Sequence, residues 1–285
     1  MEIMSFSKAM YSTWTYYAPD RILFDCGEGI STIMANKIYA VQKVFLTHSH
    51  ADHISGLWGF LNTRNSAMGE REKPLEIYYP AGAVMIRKFL SFIIDNGRWI
   101  RYPLNVQEIE ESFSLSLAEG QNPRTIQVFR TQHMNGEPSF GYRIVESRKR
   151  LKEGFRDLSK EQIRELALKC KAQEKGLGFT EVYHHNQFTL SGDGLVLPQG
   201  VMINTETLMH ECTFLSREDR KGENHTALDE LIAAVEEAKP KRLILYHISS
   251  RYNHQLKRKL KEVHERLLPQ GIDLMCVIPG KVFKC

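Results

Sequence analysis

Short strand-like runs of apolar residues alternate along the chain with longer amphipathic stretches. Val44, Phe45 and Leu46 form an apolar run typical of a buried strand, and it is followed by polar residues from Thr47 onward. This run predicts a strand ending at His48, and the same reasoning predicts strands at 21–25, 75–79, 125–131, 140–145, 187–191, 208–212 and 242–246. Helical spacing predicts a helical stretch from Ile30 and helices at about 54–65, 82–95, 159–174, 226–238 and 253–267. This order of elements favours sheets sandwiched between helical layers.

The size and composition favour one globular domain. The chain has 285 residues, of which 42% are hydrophobic and 25% are charged, with no repeat and no low-complexity tract. The longest apolar runs are too short to cross a bilayer, and the first residues lack the basic and apolar regions of a signal peptide. We therefore expect a single domain over 1–285 and a cytoplasmic protein without membrane contact.

The cysteines and the charges exclude some classes of site and leave others open. Five cysteines are scattered and never form a Cys-x-x-Cys pair, which argues against disulfides and against a thiolate zinc site. The net charge of +4 is slight, but basic residues cluster at 148–152 and at 257–261. Such clusters can attract polyanions, although a solvated helix face is the commoner explanation.

Four potential metal ligands lie directly after the strand-like run at 44–46. They are His48, His50, Asp52 and His53. Imidazole nitrogen and carboxylate oxygen hold zinc at hydrolytic centres, where positions stay open for water and substrate. The cluster therefore predicts metal-assisted hydrolysis.

Three further ionisable residues follow predicted strands in the same way. His133 follows the strand at 125–131, Asp193 follows 187–191, and His247 follows 242–246. A single histidine after a strand is usually a packing residue, but the set together with the first cluster favours ligands at one edge of a sheet. The glycines that flank Asp193 allow a metal to approach closely.

These motifs resemble those of metallo-β-lactamase fold hydrolases, and most closely the ribonuclease Z branch, which processes the 3′ ends of tRNA precursors. The residues that carry the narrower resemblance are the segments Ser139-Phe140-Gly141-Tyr142-Arg143, His210-Glu211-Cys212-Thr213-Phe214, Asn224-His225-Thr226-Ala227 and His247-Ile248-Ser249-Ser250-Arg251-Tyr252. The resemblance implies an α/β fold of the αββα sandwich type, with two mixed sheets between helical layers. It also implies a homodimer.

The resemblance further implies a dinuclear centre with two Zn²⁺, or with Mn²⁺ or another divalent metal. One metal would be held by His48, His50 and His133, the other by Asp52, His53 and His247, with Asp193 bridging. A pair of metals roughly 3.5–4 Å apart can generate a bridging hydroxide that attacks phosphorus.

The catalytic roles are implied in the same way. Asp52 would position or deprotonate the attacking water, and His225, held by Glu211, would protonate the leaving ribose oxygen. The alternatives are a structural hydrogen bond for Glu211 and a helix cap for His225. Arg64 and Arg251 could bind a substrate phosphate, with structural pairing as the alternative for both. His210 is expected on the opposite face of its strand and is interpreted as a packing residue.

Some segments depart from the family pattern, and they bear on the substrate. Ribonuclease Z enzymes of this size usually carry a flexible arm, rich in glycine and proline at its tip, that grips tRNA. The corresponding interval, about 146–186, is short, contains no proline and predicts a reduced helical insertion. The expected activity is phosphodiester hydrolysis on a tRNA precursor. The alternatives are a phosphodiesterase or ester hydrolase for a small molecule, and a non-catalytic member that binds nucleic acid.

Overall fold

The computed structural model of the chain describes residues 2–96, 100–133, 136–172 and 178–285. Its strands are β1 (Ile3–Lys8), β2 (Ser12–Tyr17), β3 (Ile22–Phe24), β4 (Lys43–Phe45), β5 (Leu75–Pro80), β6 (Leu104–Ile109), β7 (Ser114–Ala118), β8 (Arg124–Thr131), β9 (Ser139–Leu151), β10 (Thr180–Leu190), β11 (Thr205–Glu211), β12 (Arg242–Tyr246), β13 (Asp273–Cys276) and β14 (Val282–Lys284). Its α-helices are α1 (Ile30–Met34), α2 (Ala51–Ile54), α3 (Leu57–Met68), α4 (Val84–Asn96), α5 (Lys160–Ala172), α6 (Gln199–Met202), α7 (Leu228–Ala238) and α8 (Asn253–Leu267).

The strands form two mixed sheets of seven strands each. The first sheet has the order β14-β1-β2-β3-β4-β5-β6, and the second has the order β13-β12-β11-β10-β9-β8-β7. In the first sheet, pairing is parallel from β3 to β6 and antiparallel from β14 to β3. In the second, pairing is parallel from β10 to β13 and antiparallel from β7 to β10.

Successive residues of the central strands bury their side chains in different layers. In β3, Phe24 packs between the two sheets, whereas Leu23 packs on the outer side against α1 and α3. In β12, Ile244 packs between the sheets and Leu243 packs outward against α7 and α8. Because both faces of these strands are covered, they are apolar throughout rather than alternating. The predicted αββα sandwich is confirmed.

Several element boundaries differ from the sequence-based expectation. The strand predicted to end at His48 ends at Phe45, so His48 and His50 lie in a loop, whereas Asp52 and His53 lie in α2. The helix predicted at about 54–65 is two helices, α2 and α3. The helix predicted at 159–174 is α5; Ser159 accepts a hydrogen bond from the backbone N–H of Gln162, and the Gln162 side chain accepts one from Ser159 N–H, as in a capping box. Residues 173–177 lie outside the described part of the chain.

The interval at about 146–186 is not only helical. β9 continues to Leu151 and pairs with β10 from Thr180 onward, so much of the interval is an antiparallel ribbon that carries α5. Because β9 begins at Ser139 and each residue advances a strand by about 3.3 Å, the far end of this ribbon at Leu151 lies roughly 40 Å along the strand from Ser139. Among the described residues, no helix has the length and apolarity needed to cross a membrane.

Candidate metal centre

The predicted ligands come together at one edge of the sandwich, where strands of both sheets end. His48 follows β4, His133 follows β8, Asp193 follows β10 and His247 follows β12. The chain turns sharply at this edge, and His247 has a positive φ of 59°. The strand-end positions noted in the sequence therefore share one site because the two sheets pack face to face.

Three histidines form the first group. The Nδ1 atom of His50 lies 3.0 Å from Nε2 of His48 and 3.1 Å from Nε2 of His133. Ligand atoms of all three lie within 4.8 Å of one another. Three ring nitrogens that converge in this way can bind one cation together.

Asp52, His53 and His247 form the second group. The Oδ2 atom of Asp52 lies 3.3 Å from Nε2 of His247 and 3.7 Å from Nε2 of His53. The backbone N–H of Met10, in the turn between β1 and β2, donates to the same oxygen at 3.0 Å. The first β-hairpin, which the sequence pattern did not predict, thus reaches the edge of the centre.

Asp193 lies between the two groups. Its Oδ2 atom is 3.9 Å from Nε2 of His48, 3.3 Å from Nε2 of His53 and 3.2 Å from Nε2 of His247. The backbone at Gly192 has a φ of +65°, and a Cβ atom there would lie 2.4 Å from the carbonyl oxygen of Phe140. Glycine is therefore required at this position for Asp193 to enter the centre.

Buried polar atoms without partners show that these residues fit a cation. Nε2 of His53 and both carboxylate oxygens of Asp193 are buried and accept or donate no hydrogen bond within the described part of the chain. Burying such groups unpaired is costly, and a bound divalent cation would satisfy all three. The donor set contains no thiolate, which suits Zn²⁺ or Mn²⁺ at a hydrolytic site.

The electrostatics of the centre favour deprotonated ligands. Burial lowers the pKa of His48, His50 and His133, so their rings are neutral. Burial would raise the pKa of Asp52, but the hydrogen bond with His247 and the charge of His53 lower it to about 2. Metal binding requires neutral imidazole and ionised carboxylate, and these four residues meet that condition. His53 is the exception: burial lowers its pKa, but Asp193 and Asp25 outweigh burial and raise it, so His53 must lose a proton to bind a cation.

A second layer of residues holds the ligands of the first sheet. Asp25, directly after β3, lies 2.7 Å from Nδ1 of His53 and accepts hydrogen bonds from the backbone and hydroxyl of Thr47. The Thr47 hydroxyl also lies 2.9 Å from Nδ1 of His48. Such partners fix the ring orientation and the tautomer of a ligand histidine. Sequence reasoning missed both roles, although Asp25 follows its strand as the ligands follow theirs.

Glu211 and His225 lie beside the ligands on the second sheet. Oε1 of the fully buried Glu211 is 3.0 Å from Nδ1 of His225. Burial opposes the charged ring, but the hydrogen bond and the charge of Glu211 outweigh it and raise the pKa of His225. The His225 ring stacks on the His247 ring with a centroid distance of 5.4 Å. His225 is not the cap of α7, because that helix begins at Leu228 with Ala227 as its N-cap.

Arg64 lies elsewhere, and the prediction that it binds a substrate phosphate is wrong. Its side chain is fully buried, donates to the carbonyl oxygens of Ile38 and Val41, and pairs with Glu72 at 2.9 Å. It therefore has a structural role, because it holds α3 against the segment that contains Ile38 and Val41. The sequence could not show this, because the partners lie on separate segments.

Arg251 and His210 occupy different environments. Arg251 is exposed, and its guanidinium lies 5.3 Å from the ring centroid of Phe214. His210 is fully buried outside the centre, where Nε2 accepts from the backbone N–H of Leu197. The interpretation of His210 as a packing residue agrees with these contacts.

A cavity of about 400 Å³ opens beside His133. Its lining consists of Arg130, Thr131, Gln132, His133, Glu137, Pro138, Ser139 and Glu223. The cavity is polar and contains both signs of charge. Its volume suits part of a small ligand or one residue of a polymeric ligand.

The comparisons with known proteins agree with this site. The family described as Anti-Pycsar protein Apyc1 matches residues 5–267 of the chain. A ribonuclease BN of Cronobacter sakazakii is 30% identical over 272 residues, which cover 87% of this chain and 84% of that protein. A ribonuclease Z of Bacillus cereus is 31% identical over 270 residues, with coverages of 85% and 83%. The predicted resemblance to ribonuclease Z is confirmed.

The structural comparison confirms the fold. The short form of human tRNase Z superposes with a TM-score of 0.65 at 19% identity and covers 99% of this chain and 98% of its own. At 19% identity, this comparison supports the fold alone.

Replacing Arg64 with leucine should destabilise the fold without a specific effect on substrate. The change leaves the Glu72 carboxylate buried without its partner, which costs about 3–5 kcal/mol in the free energy of unfolding. Urea unfolding measures this loss. Arg87→Leu is the control, because the Arg87–Glu108 pair is largely exposed and such pairs contribute at most about 1 kcal/mol. A stable Arg64→Leu variant with weakened substrate binding would contradict the structural role.

Elemental analysis of the purified protein should find close to two zinc or manganese ions per chain. Asp193→Ala should reduce the content most, because Asp193 contacts both groups of ligands. His254→Ala, a change on the exposed face of α8, should leave it unaltered. A well-folded wild-type protein that binds no divalent cation would refute the dinuclear centre.

Proposed function

Because the chain belongs to the Anti-Pycsar protein Apyc1 family and is a metal-dependent hydrolase of the ribonuclease Z-like metallo-β-lactamase fold, we propose that it cleaves phosphodiester bonds with two divalent cations. One observation carries the proposal. A single oxygen of Asp193 lies within 3.2–3.9 Å of ring nitrogens from both ligand groups. This geometry suits a carboxylate that bridges two metals at a spacing of roughly 3.5–4 Å.

The first proposed step is attack by water on phosphorus. When bound, two divalent cations would supply an activated water at neutral pH and would stabilise the charge of the phosphate oxygens. Asp52 is suited to orient that water, because Met10 N–H and His247 hold its Oδ2 atom in place. Its lowered pKa keeps the carboxylate ionised and able to accept a proton.

The second proposed step is protonation of the leaving oxygen by His225. Hydrogen bonding of Nδ1 to Glu211 leaves Nε2 as the atom that can hold the transferable proton. The side chain is 15% exposed, so it borders both the ligands and the solvent from which substrate arrives. Its raised pKa favours the protonated form that a general acid needs.

Arg251 is proposed to contact the substrate. Its Nε atom donates to the hydroxyl of Ser249, and its guanidinium lies over the rings of Phe214 and Tyr252. Phe214 in turn makes an edge contact with the ring of His225. The remaining N–H groups of Arg251 could therefore bind a phosphate beside the proton donor.

RNA with a 3′ extension, such as a tRNA precursor, is the first proposed substrate, because the relatives named ribonuclease BN and ribonuclease Z match most of the chain. The resemblance also implies a homodimer in the cytoplasm. The homodimer stays a prediction that sedimentation velocity can test.

A small phosphodiester is the second proposed substrate, because the interval at about 146–186 differs from the flexible arm with which ribonuclease Z enzymes of this size grip tRNA. The ribbon of β9 and β10 places α5 at the edge of the sheet opposite the metal centre. Two of its basic residues are already paired: Arg148 lies 2.5 Å from Glu146, and Arg150 lies 2.7 Å from Glu181. This pairing also weakens the alternative of a non-catalytic nucleic-acid binder, since it reduces the charge available to a polyanion.

Parallel assays should separate the two substrates. Cleavage of a tRNA precursor at its 3′ extension is compared with hydrolysis of bis(p-nitrophenyl) phosphate and of cyclic mononucleotides. An RNA-processing enzyme should cut the precursor at enzyme concentrations at which the small esters react slowly. Turnover of small phosphodiesters alone would make the RNA assignment wrong and would support the second candidate.

His225→Ala should slow cleavage of natural phosphodiesters about 10²–10⁴-fold and leave the metal content unchanged. Bis(p-nitrophenyl) phosphate should be affected far less, because p-nitrophenolate leaves without a proton. The comparison of the two rates measures the proton donation itself. Equal losses on both substrates would contradict a general acid, and His254→Ala serves as the control for an unrelated histidine.

A further inference from the structure

The hydroxyl group of Thr213 lies among three side chains of the centre. Its Oγ1 atom is 2.9 Å from Oε2 of Glu211, 2.9 Å from Nδ1 of His247 and 3.2 Å from Nδ1 of His225. Thr213 follows β11 by two residues and is buried. One hydroxyl therefore contacts a predicted metal ligand, the predicted proton donor and the carboxylate that supports it.

The hydrogen-bonding capacity of the hydroxyl decides the direction of these contacts. A threonine hydroxyl has one hydrogen to donate and two lone pairs to accept. Glu211 is the strongest acceptor of the three, since its fully buried carboxylate also accepts from the backbone N–H groups of Gly194, Thr213 and Thr226. The single hydrogen thus goes to Glu211, and the lone pairs face the two Nδ1 atoms.

This assignment fixes the tautomer of both histidines. Each Nδ1 atom must carry hydrogen to donate to Oγ1, so the lone pair of each neutral ring lies on Nε2. For His247, Nε2 faces Asp52 and Asp193 at 3.3 and 3.2 Å; a cation bound among these groups would take the place of the hydrogen that Nε2 shares with Asp52 and would use the Nε2 lone pair. For His225, Nε2 is left as the atom that can receive and deliver a proton.

We propose that Thr213 is a positioning residue whose hydroxyl accepts from Nδ1 of both His225 and His247, orients the two rings and so links the metal ligand to the proton donor. The contact to His225 is shared with Glu211, whereas His247 Nδ1 has only this side-chain partner among the described residues. Loss of the hydroxyl should therefore disturb His247 most. This inference rests on the proposed roles of both histidines.

Three variants test the role of the hydroxyl. Thr213→Val keeps the shape and removes the hydroxyl, whereas Thr213→Ser keeps the hydroxyl. Thr189→Val is the matched control, because Thr189 is also buried and its hydroxyl lies 3.2 Å from that of Thr205. If Thr213→Val fails to fold, Thr213→Ala carries the same expectations.

The first measurement is solvent exchange of the imidazole N–H hydrogens in the zinc-loaded protein, followed in ¹H–¹⁵N correlations of the rings. Zinc on Nε2 by itself keeps hydrogen on Nδ1 of His247, so the exchange rate of that hydrogen reports its hydrogen bond to Thr213. Wild type, Thr213→Ser and Thr189→Val should show a slowly exchanging Nδ1 hydrogen on His247, whereas Thr213→Val should exchange it faster and change less at His225, where Glu211 still accepts. Unchanged exchange at His247 in Thr213→Val would overturn the proposal.

The second measurement is zinc affinity, determined by competition with a chelator. Thr213→Val should bind one of its cations about 10–100-fold more weakly, a loss typical for the partner of a ligand histidine. Thr213→Ser should restore the affinity; equal losses in both variants would indicate a packing role and overturn the proposal. Neither readout uses substrate, so an enzyme inactive on all phosphodiesters could still show the change in hydrogen exchange, and the two failures are distinguishable.

Discussion

The arrangement of the whole edge depends on the burial of Asp193 among histidine nitrogens. Both of its oxygens lack hydrogen-bond donors in the described structure, and Nε2 of His53 lies 3.3 Å away in the same condition. A charge in such a dry environment is tolerable only beside an opposite charge. Part of that charge comes from protonation of His53: burial lowers its pKa, but Asp193 and Asp25 outweigh burial and raise it well above its ordinary value. A divalent cation would replace that proton and satisfy both carboxylate oxygens of Asp193.

The two sheets support the centre in the same manner. On the first sheet, the carboxylate of Asp25 and the hydroxyl of Thr47 contact the outer nitrogens of His53 and His48. On the second sheet, Glu211 and Thr213 contact His225 and His247. In each case a carboxylate at the end of a strand binds a threonine hydroxyl, which leaves the hydroxyl oxygen facing a ring nitrogen. The second sheet differs in one respect, because its pair holds both a ligand and the candidate proton donor.

The chemistry and the substrate depend on separate parts of the fold. The ligands and the Glu211–His225 pair lie where strands of the two sheets end, and all of them fall within residues 5–267, which the family model matches. The ribbon of β9 and β10 carries α5 at the opposite edge. Variation there can alter what is bound without moving a ligand, since the strands between are held by continuous hydrogen bonding. The metal chemistry is accordingly compatible with a large RNA or a small ester.

The sequence alone determined the elements whose apolar pattern is strong and the ligands that follow them. Helix α8 was predicted with the bounds it has, and His48, His133, Asp193 and His247 were placed at strand ends. The hairpin of β1 and β2 escaped prediction, because its inward positions carry hydroxyl side chains, such as Ser7 and Thr13, that satisfy one another at 3.1 Å inside the sandwich. A pattern of apolar residues cannot reveal such a strand.

Only the tertiary structure decided which polar residues share the centre and which do not. Arg64 resembled a phosphate ligand in the sequence, but it is buried against carbonyl groups of a distant segment. Asp25 shares with the ligands only its position after a strand, and it becomes a partner of the histidines through packing, as do Thr47 and Thr213. The physical reason is that strand ends can be read locally, whereas a contact between the ends of two facing sheets depends on how those sheets pack.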